Sequence, residues 1–127
     1  MIGAALALEA LPWGAVLNFA VAPESGGGVD RQTFSYFSLM PVGYANVGPF
    51  FAAVTTVLLA VLVLISCFGE KRGKLCGSIY GISAVAAVFS LGPLIFGVDY
   101  YSLTGLFITL LLVSSAVVGF IRSREYE

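Results

Sequence analysis

Apolar residues run almost unbroken through four stretches of the chain, 2–22, 50–68, 77–96 and 103–121, and polar residues collect between them. A helix needs about twenty residues to cross a hydrocarbon layer about 30 Å thick. Each stretch has that length and carries little or no formal charge. Backbone groups in lipid must find partners within a helix or a closed barrel. Continuous apolar runs, without a polar residue at every second position, exclude the barrel. The pattern therefore predicts an all-α membrane protein. It is a four-transmembrane-helix up-down bundle in a single domain, 1–127, with one longer ordered outer loop at 23–49.

Breaks in the pattern refine the elements. Pro12 falls inside the first stretch and predicts a kink over 8–12, because proline removes a backbone donor and crowds the preceding turn. Residues 23–28, Pro-Glu-Ser followed by three glycines, read as a flexible exit. Segment 30–47 is too aromatic for a solvated loop. It predicts a re-entrant or surface-lying segment, or an ordered cap, with a short helix over 33–39 ended by Pro41. Gly48-Pro49 should open the second helix with Pro49 at its first position. The turn at 69–74 makes helices two and three an antiparallel hairpin, and 97–102 joins helices three and four with Ser102 as N-cap. Gly92-Pro93 should bend helix three near its outer end.

Composition agrees with the pattern. The chain of 127 residues is 59% hydrophobic and only 10% charged, against about 25% charged in soluble proteins. The net charge of −1 says little; its distribution says more. Lys71, Arg72, Lys74, Arg122 and Arg124 border one end of the runs, and only Arg31 lies at the other. The positive-inside bias places the turn at 70–75 and both termini in the cytoplasm of a multi-pass plasma-membrane protein. With no basic stripe on a soluble surface, nucleic acid is excluded as a partner. The partners expected are the bilayer and another membrane protein, or a second copy of the chain.

Ala20-Val21-Ala22 has the small-x-small form of a signal cleavage site. The segment lacks a basic start, Glu9 interrupts it, and Pro23 would follow the cut, so it reads as a retained helix. The same lack of basic residues raises the expectation of a natural start upstream of Met1. Cys67 and Cys76 flank the basic turn on the reducing side, where a disulfide is not expected. Two thiols without a histidine make no zinc site.

Catalytic signatures are missing. Without histidine the common general base and transition-metal ligand are gone, and no nucleophile–base arrangement or phosphate loop can be assembled. No enzyme activity, cofactor or metal is expected. Glu9 is the one carboxylate within an apolar run, and a charge at that depth is by default a proton or cation site. Its bland counterpart is a side chain that reaches the interface or pairs with Arg72 or Lys74. Asn18 lies nine residues on, about 900° around a helix, and so on nearly the opposite face. An interhelical hydrogen bond suits it better than a ligand role. Gly77 with Gly81, and Ser115 with Gly119, form small-residue pairs suited to helix packing. Phe34, Tyr36, Phe37 and Tyr44, together with Tyr100 and Tyr101, form an outer aromatic cluster suited to partner binding, or alternatively an interfacial belt.

Four helices and Glu9 within Ala7-Leu8-Glu9-Ala10 resemble the small multidrug resistance transporters, which carry an essential glutamate in helix one. The chain departs from them in its insertion at 23–49, its stronger charge bias and its lack of their later helix motifs. The long first outer loop resembles that of claudin-like tetraspans, whose loop cysteines have no counterpart here. As a whole the chain looks most like small four-helix membrane proteins of bacteria, a likeness that implies no activity. The function expected is that of a non-enzymatic accessory or interaction protein. The alternative is a small proton-coupled transporter using Glu9.

Overall fold

The computed structural model describes residues 1–38, 47–68 and 72–125. Helix α1 covers Ile2–Ala10, strands β1 and β2 cover Ala15–Val21 and Gly28–Phe34, and helices α2, α3 and α4 cover Val47–Phe68, Arg72–Ser90 and Leu103–Glu125. Among the described residues three helices, not four, are long and apolar enough to cross a membrane. The four-helix, all-α expectation is overturned at the first stretch, which is a short helix followed by a strand.

The reason lies at Pro12. A residue before proline avoids helical angles, and Leu11 is extended, with φ −70° and ψ 145°. Proline ends the helix here instead of kinking it. Nine residues rise about 14 Å, less than half the hydrocarbon thickness. Beyond Gly14 the run Ala-Val-Leu-Asn-Phe-Ala-Val is short and rich in β-branched and aromatic residues, and a run of that kind fits a strand as well as a helix.

The partner strand comes from the stretch expected to be flexible. β1 and β2 pair antiparallel from Ala15 opposite Phe34 to Val21 opposite Gly28. A 3-10 turn at Pro23–Ser25 and three glycines at positive φ (106°, 64° and 119°) close the hairpin. The glycine run is therefore a hairpin turn that only residues without a β-carbon adopt freely. The helix expected over 33–39 is absent among the described residues. Phe34 ends β2, and a turn over Ser35–Ser38 follows. Residues 39–46, including Tyr44 and Pro41, lie outside the described residues.

The long helices carry their large side chains outward and their small ones inward. Phe51, Leu58, Leu64, Val88 and Leu110 are exposed, whereas the buried core holds Ala52, Ala53, Ala86, Ala87, Ile108 and Leu112. Hydroxyls share that interior: Thr56, Ser83, Ser90, Thr109 and Ser115 are buried. Such an arrangement inverts the soluble pattern and matches bundles solvated by lipid, where small residues let backbones approach and polar groups pair between helices. It is compatible with a membrane protein.

Helices α3 and α4 run antiparallel. Ser90 meets Thr109, Ser83 meets Ser115, and Gly119 lies against Tyr80, whose Cα is 3.3 Å from the point a Gly119 β-carbon would occupy. At the other seam, a β-carbon on Gly48 would stand 2.9 Å from the Phe89 carbonyl oxygen, so α2 starts where α3 ends. α2 begins at Val47, two residues ahead of Pro49, and α3 ends at Ser90, with a 3-10 turn at Gly92–Ile95 where a bend was expected. The expectation that both termini share one side rested on four crossings, and three candidate spans do not carry it.

Candidate functional site

The interior polar groups gather where α1 gives way to the hairpin. The last carbonyls of a helix lack partners within it, and because α1 stops at Ala10 the Glu9 carbonyl is one of these. It accepts a hydrogen bond from the Tyr36 amide at 2.9 Å and another from the Ser35 hydroxyl at 2.8 Å. The segment leaving β2 thus caps α1. A second tie runs from the Ser102 hydroxyl to the Gly14 carbonyl. The Ser102 oxygen also accepts the Gly105 amide at 2.8 Å, as an N-cap of α4 should.

Below these ties, Tyr36 points into the bundle and is only 1% exposed. Its hydroxyl lies 3.2 Å from that of Ser90, which lies 2.8 Å from that of Thr109. Thr109 also meets the Tyr101 hydroxyl at 2.6 Å and donates to the Gly105 carbonyl at 2.9 Å. Four hydroxyls from two loops and two helices thus drain into one carbonyl, so each finds a partner. Burial pushes the Tyr36 and Tyr101 phenols above their ordinary value.

Glu9 is fully buried. One carboxyl oxygen lies 2.9 Å from the Thr56 hydroxyl of α2, and the other has no hydrogen-bond partner. α1 lies outside the three candidate spans. Burial pushes the Glu9 carboxyl up to about 7, opposed by the hydrogen bond from Thr56. The side chains of Arg72 and Lys74, the cations expected to pair with it, lie outside the described residues.

The other expected residues separate. Asn18 is on β1 opposite Arg31 of β2. With Ala20, Val29, Asp99 and Tyr100 these two line an open cleft of about 530 Å³ at the head, the part built from the β1–β2 hairpin and the turn at 98–101. In the aromatic cluster Phe37 is exposed and Phe34 half-buried, while Tyr36 and Tyr101 turn inward to the hydroxyl chain. Tyr100 packs edge-on to Phe96, with centroids 6.5 Å apart. Ser115 and Gly119 face α3. A β-carbon on Gly77 or Gly81 would meet nothing within 4 Å. From the sequence Thr56 and Thr109 read only as hydroxyls able to bond back to their own helix or across to another, as they do here, and Ser90 was not marked at all. Their only signal was a hydroxyl within an apolar run, which is common in membrane helices. Among the described residues no group of acidic or cysteine side chains could hold a metal ion. Comparison with protein-family models, with curated proteins and with solved structures gave no match.

Proposed function

We propose that the chain is a non-enzymatic interaction protein of the plasma membrane, anchored by three spans, that presents the β1–β2 hairpin to a partner on the outer face. The observation that carries this reading is the unequal environment of the two strands. The root of β1, from Ala15 to Leu17, is buried, whereas β2 is exposed from Gly28 to Thr33. An isolated two-stranded hairpin is marginal in water. This one is held at its root by the Glu9, Ser102 and Tyr36 hydrogen bonds. An ordered, exposed strand with an open cleft beside it has the form of a docking surface, and main-chain pairing along a strand edge is one way to use it.

The charge bias supports an orientation with the head outside. Arg122 and Arg124 follow α4, and Lys71, Arg72 and Lys74 fall between α2 and α3. With three crossings that end lies opposite the hairpin, and its basic residues support a cytoplasmic location for it. The partner class is a protein with exposed polar backbone or charge complementary to Arg31 and Asp99.

A photo-crosslinking residue at Val29, in cells expressing the full chain, tests the reading. The expected result is a discrete protein adduct from Val29 that is lost when Arg31→Glu is added, and no such adduct from Phe51 on the lipid face. Adducts that ignore Arg31→Glu, or no adduct from Val29, would overturn it.

A further inference from the structure

The Thr56 hydroxyl carries one proton but has two acceptors beside it. It lies 2.8 Å from the Ala52 carbonyl of its own helix and 2.9 Å from the Glu9 carboxyl. If Glu9 is ionised, that proton is shared between two acceptors, and the second carboxylate oxygen stays buried with no donor at all. If Glu9 is protonated, its own O–H donates to Thr56 and Thr56 donates to Ala52, so each close contact becomes a full hydrogen bond. A buried carboxylate with at most half a donor, and no cation among the described residues, is the costly alternative.

Among the described residues, the elements around Glu9 offer no compensating charge. α2 brings Thr56 and no charged residue between Val47 and Phe68, and α4 brings none from Leu103 to Ile121. The segment after β2 brings Ser35 and the phenol of Tyr36, and Tyr101 lies beyond it. α1 itself, Ile2–Ala10, carries no other ionisable side chain.

We infer that Glu9 is a proton-binding site of the folded protein, and that release of its proton loosens the junction by which α1 holds the hairpin. The coupling is built into the residue: its side chain reaches Thr56 in the bundle, and its carbonyl holds Ser35 and Tyr36 of the head. On ionisation the proton passes to water, and the carboxylate gains by moving out of its buried position toward water. That movement carries the carbonyl away from Ser35 and Tyr36. The ligand is a proton, and the response is the position of the head.

Trp13, the only tryptophan, lies between Glu9 and β1 and is itself largely exposed. It reports on the junction in the full chain reconstituted in phosphatidylcholine nanodiscs. Fluorescence followed from about pH 5 to about pH 9, the range in which a buried carboxyl titrates, should show one sigmoidal transition. Glu9→Gln, a neutral mimic of the protonated acid, should abolish it and fix the spectrum at its low-pH form. An infrared difference spectrum of the native chain at neutral pH should show a protonated carboxylic acid, which covers the case in which Glu9→Gln fails to fold. A transition that survives Glu9→Gln, or a carboxylate band with no protonated acid at neutral pH, overturns the inference. Neither measurement involves a partner, so failure here leaves the docking reading intact.

Discussion

The ring of Tyr36 lies against Gly14, with its Cδ1 and Cε1 atoms 2.8 and 3.0 Å from the point a Gly14 β-carbon would occupy. Tyr36 is walled in and tied to Ser90, so the ring has nowhere to retreat. Gly14→Ala should therefore destabilise the fold by about 1–3 kcal/mol, the usual cost of forcing an extra carbon into a packed interior. Reversible unfolding in mixed micelles measures it. A neutral Gly14→Ala would show that the head is not packed on the bundle in this way.

Tyr36→Phe separates packing from hydrogen bonding at the same position. The ring remains, and Ser90 keeps Thr109 as a partner. The loss should be about 1 kcal/mol, that of one hydroxyl contact. Tyr36→Ala empties the space beneath the hairpin and should cost about 3–5 kcal/mol. The ratio of the two, read from the same unfolding experiment, tests whether Tyr36 acts mainly as a wedge.

The long helices were legible in the sequence because length and continuous hydropathy are all that a span requires. The first stretch was not. Residues 15–21 are apolar on both strand faces at the root, so they lack the alternation that marks a half-buried strand. Their partner, Gly28–Phe34, holds Asp30, Arg31 and Gln32 and reads as a polar loop. Pairing across the glycine turn makes both of them strands, and no local window contains that fact. Glu9 stood out because carboxylates are rare in apolar runs. Its partner Thr56 could not be read because it lies 47 residues away.

Close approach of the backbones at one seam and open space at another predict opposite outcomes for the same substitution. A β-carbon on Gly48 would stand 2.9 Å from a backbone oxygen of Phe89, which cannot swing aside. Gly48→Ala should push α2 from α3 and lower stability by about 1–3 kcal/mol. Gly81→Ala places its carbon where nothing lies within 4 Å. It should be neutral, or stabilising by up to about 1 kcal/mol through the better helix propensity of alanine. Unfolding of the two variants side by side checks the contrast. A loss at Gly81 instead would place another molecule against that stripe.

Glu9 also fixes the direction in which stability changes with pH. Burial raises its carboxyl from the ordinary 4.5 to about 7 in the folded state. Between those values the folded chain holds a proton that the unfolded chain has lost. The resulting stability is fully present below about 4.5 and disappears as pH rises through about 7. A shift of that size is worth at most about 3.5 kcal/mol, at about 1.4 kcal/mol per unit. Thermal unfolding in nanodiscs should therefore give a falling stability across this window and a plateau above it. Glu9→Gln should remove the slope and leave the variant more stable than the native chain at the alkaline end. If the native chain instead gains stability as pH rises through neutrality, Glu9 is ionised in the fold and an unrecognised donor or cation must satisfy it.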